Sequence, residues 1–98
     1  MSKVVSIGRN IQGFPMSDIK WEQFIGHLMN LIDVPTNNIH FTGRGNGFYE
    51  TKREESFTVI FTGTVPEEAL AALAGKYMQD SIALTEGETK FIDGRETA

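Results

Sequence analysis

Two arginines, one tryptophan and a run of alternate glycines are the residues of this chain best suited to recognise a ligand. Arg9 closes the stretch Gly8-Arg9-Asn10, and Arg44 sits inside Gly43-Arg44-Gly45-Asn46-Gly47. A guanidinium is a planar fork that matches a phosphate or carboxylate. Backbone N–H groups of a glycine-rich stretch can cradle an anion, and an indole ring can stack on a base. With Asn10, Asn46, Gln79 and Asp80 as polar neighbours, the residues Arg9, Asn10, Trp21, Arg44, Asn46, Gln79 and Asp80 form the candidate set for a small anionic or nucleotide ligand. Each also has a structural reading. Arg9 can pair with Glu54, Glu55 or Asp80, and Trp21 obeys a helix period and fits a core. The glycine run fits a bulged strand or hairpin tip, and Gln79-Asp80-Ser81 are residue types that cap and turn chains.

Catalytic and metal chemistry find little footing. The chain has no cysteine, so disulfides, thiolate metal sites and cysteine nucleophiles are excluded. His27 and His40 are the two histidines, and neither stands in an H-E-x-x-H spacing. G-x-S-x-G and Walker patterns are absent. Glu54 and Glu55 are adjacent, so on a strand they point to opposite faces and cannot share one substrate as acid and base. No catalytic residue, metal ligand or cofactor is expected. An enzyme would have to assemble its site from scattered residues such as Arg9, His40, Asp80 and Ser81.

The elements that must position these side chains follow from periodicity. Val4–Ile11 alternates as a strand, with Val5, Ile7 and Arg9 on one face. Gln12 to Met16 reads as a turn. Ser17 is a good N-cap, and Asp18 in the first turn complements the helix dipole. Trp21, Phe24, Ile25, Leu28, Leu31 and Ile32 then repeat at helical spacing to about Asp33, and Pro35 marks the stop. Ile39–Thr42 starts a strand that enters the glycines and resumes at Phe48-Tyr49, with Glu50 to Glu55 as a charged connection. Phe57, Val59 and Phe61 give Ser56–Thr62 one core face. Thr64 with Glu67 has the capping-box spacing for a second helix to about Met78, its core face Ala69, Leu70, Leu73, Ala74 and Tyr77. Ser81–Leu84 and Thr89–Ile92 read as short strands about a turn at Glu86-Gly87, followed by a polar tail from Asp93 to Ala98. The order β-α-β-β-α-β is that of a ferredoxin-like α+β fold: an antiparallel sheet, two helices on one face and a C-terminal hairpin. Residues 1–92 form one domain and 93–98 its tail.

Bulk properties limit the partners. At 98 residues and a formal charge of −4, the chain is repelled at long range by nucleic acid and by anionic membranes. No apolar run approaches the ~20 residues that span a bilayer, and no signal peptide is recognisable. A cytoplasmic protein is expected. A core this small gains from association, and an open sheet face invites a homo-oligomer.

Four segments in order, Gly8-Arg9-Asn10 with Met16-Ser17-Asp18 and Trp21…Phe24, then Gly43–Tyr49, Glu54-Glu55-Ser56 and Tyr77–Leu84, resemble small uncharacterised proteins encoded by bacteriophages. More faintly they are similar to a family of uncharacterised bacterial proteins. In that family a Gly-Arg strand end precedes a Trp-x-x-Phe helix, and Gln-(Glu/Asp)-Ser precedes the last strand. This chain departs from the bacterial family in lacking a secretion signal. The resemblance implies the fold and a phage origin and no particular activity. It makes the leading expectation a non-enzymatic accessory protein, acting in the host cytoplasm, that counters host defence by sequestering a small anionic or nucleotide ligand. The rival expectations are a module that inhibits a host protein through its surface, and the small enzyme above.

Overall fold

The computed structural model describes residues 1–88 together with 90, 92 and 94. Its four-stranded sheet is built from β1 (Ser2–Gly8), β4 (Ile39–Tyr49), β5 (Lys52–Thr62) and β6 (Ala83–Gly87). They lie in the order β4-β5-β1-β6 with every neighbouring pair antiparallel. With α1 (Asp18–Leu31) and α2 (Glu67–Lys76) in the crossovers, this is the ferredoxin-like α+β arrangement. A two-residue ribbon, β2 (Asn10–Ile11) against β3 (Phe14–Pro15), joins β1 to α1.

Alternation decides which side of the sheet the helices cover. Val5 and Ile7 of β1 and Phe57, Val59 and Phe61 of β5 are buried. They meet Trp21, Phe24, Ile25 and Leu28 of α1 and Leu70 and Leu73 of α2. The start of α1 follows its sequence signals: the Ser17 hydroxyl accepts from the Lys20 N–H at 3.3 Å, and Asp18 lies in the first turn.

The opposite face carries the other half of each alternation. Val4 and Ser6 stand beside Ile60 and Thr58 on β5 and beside Thr85 and Ala83 on β6. Phe41, Gly43 and Gly45 of β4 continue that face beside Ile60, Thr58 and Ser56. The Ser6 and Thr58 hydroxyls bond across it at 2.8 Å.

The structure corrects several boundaries. The first strand ends at Gly8, and Asn10–Ile11 turns back on Phe14–Pro15 instead of extending β1. Gly43 to Gly47 is continuous strand, with the register irregularity one turn of the pleat earlier, between Ile39 and Phe41. The stretch from Lys52 to Glu55 is not a connection but the start of β5, so the hairpin loop shrinks to Glu50-Thr51. Both residues have positive φ, 49° and 69°. This conformation suits the twist of a two-residue hairpin but is usually marked by Asn or Gly. The expected capping box at Thr64 does not form. The second helix starts after Pro66 with no side-chain cap, and Glu67 and Glu68 supply the acidic first turn instead. Glu86-Gly87 lies inside β6 and is not a turn. Of the expected strand at 89–92, residues 89 and 91 lie outside the described residues, as does most of the 93–98 tail. No described helix is long and apolar enough to cross a membrane.

Candidate functional site

Three turns meet at one end of the sheet. They are Gln12-Gly13 between β2 and β3, Glu50-Thr51 between β4 and β5, and the loop from Met78 into β6. The loop is shaped by the end of α2. There the Met78 N–H donates to the Gly75 carbonyl at 3.2 Å and the Gln79 N–H to the Ala74 carbonyl at 2.8 Å. This pair of bonds is a Schellman motif with Met78 in the left-handed position, φ 54°, where glycine is the usual occupant. Gln12 and Glu50 are also left-handed, both at φ 49°. Non-glycine residues seldom take this conformation, and such strain gathers where a structure over-determines its backbone.

The turns enclose a cavity of about 430 Å³, within the ~300–1,000 Å³ usual for small-molecule sites. Its floor is the end of the outward sheet face, with Gly8, Glu54 and Ala83. Asn10, Gln12, Gln79, Asp80 and Ser81 add neutral and acidic polar groups, Met78 an apolar wall, and Glu50 and Lys52 the rim. Glu54 is held in place: its carboxylate accepts from the Asn10 N–H at 2.9 Å and lies over Gly8, where any Cβ would meet it. Gln79 ties the loop to the ribbon by donating from Nε2 to the Asn10 carbonyl at 3.0 Å. The Asn10 amide in turn donates to the Arg53 carbonyl at 3.3 Å. Carboxylates outnumber cations, with Glu50, Glu54 and Asp80 against Lys52. A second cavity of about 400 Å³ lies behind Gln79-Asp80-Ser81, against Leu70, Ala74 and Ile82, so that loop is a wall between two hollows.

Of the candidate residues, the main cavity gathers Asn10, Gln79 and Asp80. Arg9 and Asn46 line a smaller adjacent hollow of about 260 Å³, which also touches Asn10 and Glu54. Arg44 lines neither. Trp21 is in the core, 1% exposed, its edge against Phe24, and its buried indole N–H has no hydrogen-bond partner.

The guanidiniums are engaged within the fold. Arg9 donates to Asp18 at 2.6 Å, to Glu55 at 3.2 Å and, through Nε, to the Met16 carbonyl at 2.8 Å. Arg44 grips Glu22 with two bonds, 2.5 and 2.8 Å. These carboxylates raise both arginine pKa values, and Arg44 in turn holds the Glu22 carboxyl below its ordinary value. Glu55 is therefore the partner of Arg9 on the helix side of the sheet, while its neighbour Glu54 faces the cavity from the other side.

His40 bonds the Thr62 hydroxyl at 2.7 Å. His27 Nδ1 meets the Tyr77 hydroxyl at 2.5 Å. Burial pushes the Tyr77 phenol pKa up and keeps the hydroxyl protonated. Among the described residues no group of three His, Asp or Glu side chains converges to hold a metal.

Sequence reasoning missed Gln12, Glu50, Lys52, Glu54 and Met78 as cavity residues. The alternation that separates Glu54 from Glu55 was the available signal for one of them. Nothing in the residue types at 50, 51 or 78 announces a left-handed turn.

No family model matches this sequence, and no curated protein is similar to it. Among solved structures, a phage SAM lyase in its apo state is similar, with 18% identity and a TM-score of 0.48 over 85% of this chain and 75% of that one. A likeness at that level assigns this chain neither activity nor ligand.

Proposed function

We propose that this protein binds and sequesters a small polar molecule in the cavity between its three turns, without covalent chemistry. The observation that carries this reading is the composition of one hollow. Asn10, Gln12, Gln79 and Ser81 offer neutral hydrogen-bonding groups, and Glu54 and Asp80 offer negative charge, around about 430 Å³. That lining favours a ligand rich in donors or carrying positive charge, such as an amine-bearing or nucleoside-like molecule. A bare anion would face the carboxylates, and Arg9 and Arg44, which would have to receive it, are occupied by Asp18, Glu55 and Glu22. Sequestration is favoured over turnover because, among the described residues, the one cavity hydroxyl, Ser81, has no hydrogen-bonded base to activate it. The resemblance to small phage proteins supplies a setting, an infected host cell whose defence depends on such a molecule.

Native mass spectrometry of protein purified from cells, beside a denatured sample, tests retention directly. Titration with adenosine, spermidine and AMP then tests the charge argument. Binding of adenosine or spermidine in preference to AMP is expected. Tighter binding of AMP would overturn the charge reading.

A further inference from the structure

The outward face of the sheet differs chemically from the rest of this acidic chain. Val4, Ser6, Thr58, Ile60, Gly45 and Thr85 represent its surface. From Ser56 to Thr62, and across the registered positions of β1, β4 and β6, no outward position among the described residues is charged. The first charge on that face is Glu54, at the cavity floor. An antiparallel sheet with one solvated face ordinarily alternates toward polar and charged residues. Its two central strands carry no outward aromatic side chain, and Phe41 is exposed on the β4 edge.

We propose that a second copy of this chain seats on this face and walls the open mouth of the cavity, so that the site is complete only in the assembly. This rests on reading the cavity as a ligand site. Three observations commit the face to a like partner. Two chains of charge −4 repel unless they meet where carboxylates are missing, and this face provides that. The space above Gly45 and Gly87 is empty, so a facing backbone can approach closely. The area suits a reversible pairing. Four strands at ~4.8 Å spacing and about seven residues of ~3.3 Å rise present roughly 450 Å² each. Two copies then bury about 900 Å², the size of a weak, reversible interface. The cavity floor of Gly8, Glu54 and Ala83 belongs to the same face, so a partner lying on it also borders the mouth.

Sedimentation velocity on the wild type, Gly45→Glu, Thr85→Glu and, as a control, Gly75→Glu on the exposed side of α2 tests the interface. The φ of Gly45 is not positive and nothing occupies its Cβ space, so Gly45→Glu leaves the monomer fold intact, as circular dichroism will verify. The wild type and Gly75→Glu should associate, and Gly45→Glu and Thr85→Glu should be monomeric. Because the chain has no cysteine, Ser81→Cys gives a single thiol at the cavity, and its alkylation by iodoacetamide reads the cover. Alkylation should be several-fold slower with the native face than in the Gly45→Glu background. A monomeric wild type, association unaffected by both face substitutions, or equal alkylation rates would overturn the proposal. A monomer that nonetheless retains a small molecule would leave the ligand reading standing while removing this one. An associated protein with a covered thiol and no retained mass would do the reverse.

Discussion

The carboxylate of Glu54 occupies the space that a side chain on Gly8 would need: a Cβ there would stand 2.3 Å from Oε1. The obstructing atoms are the far end of a flexible side chain, so Gly8→Ala should fold. The swing of Glu54 away from the Asn10 N–H removes a charged hydrogen bond, about 1–3 kcal/mol. The lower chain entropy of alanine returns about 0.4–1 kcal/mol. Chemical denaturation should show a net loss of about 1 kcal/mol, and native mass spectrometry a loss of retained ligand out of proportion to it.

Met78 in the left-handed position carries a strain of about 1–2 kcal/mol, against the extra ~0.5–1 kcal/mol of backbone entropy that glycine loses on folding. The strain term is larger, so Met78→Gly should stabilise the protein by about 0.5–1 kcal/mol. Since Met78 also lines the cavity, the same variant should bind adenosine more weakly. A destabilised variant in thermal unfolding would show that the side chain's contacts outweigh the backbone strain.

Tyr77 stacks on Phe24 at 4.4 Å and shares a hydrogen bond with His27, joining the two helices within the core. Tyr77→Phe keeps the stacked ring and deletes the bond. A loss of about 0.5–1.5 kcal/mol is expected, with no change in ligand retention. Urea denaturation of the pair of proteins measures it.

Arg44 depresses the Glu22 carboxyl pKa. The contribution of a carboxylate held low in the folded state is fully present above its unfolded value, about 4.3. It disappears as the pH falls through the lower folded value. Wild-type stability should therefore fall as the pH drops below the unfolded carboxylate value, and Glu22→Gln should flatten part of that fall. Both side chains are half in solvent, so added salt should shrink the difference. Melting curves across that range, with and without salt, provide the measurement.

Much of the fold can be read where one local signal agrees with one burial pattern. Ser17 and the Trp21–Leu28 stripe define α1, and Phe57, Val59 and Phe61 define the inner face of β5. The ferredoxin-like order follows from their sequence. Elements set by tertiary contact are less legible. Gly43, Gly45 and Gly47 have poor strand propensity, yet they hold their place because every residue from Gly43 to Tyr49 has a registered partner on β5. The turn at Glu50-Thr51 contains neither Gly nor Asn, so its left-handed backbone is invisible in residue type. The site was legible in part for the same reason. Asn10, Gln79 and Asp80 sit at punctuation points that sequence exposes. Arg9 and Arg44 have the right chemistry for a ligand, but their charge is met by Asp18, Glu55 and Glu22, which only folding brings near.

The neighbours Glu54 and Glu55 divide their duties by parity alone. The even position faces the main cavity, and the odd one pairs, half exposed, with Arg9. A substitution at position 54 would change the charge of the cavity floor at the cost of the bond to the Asn10 N–H, whereas one at position 55 would unpair Arg9. An insertion or deletion of one residue ahead of them would exchange the two assignments at once. The charge of the cavity floor is thus open to change by substitution at 54, but not by altering the length of this strand.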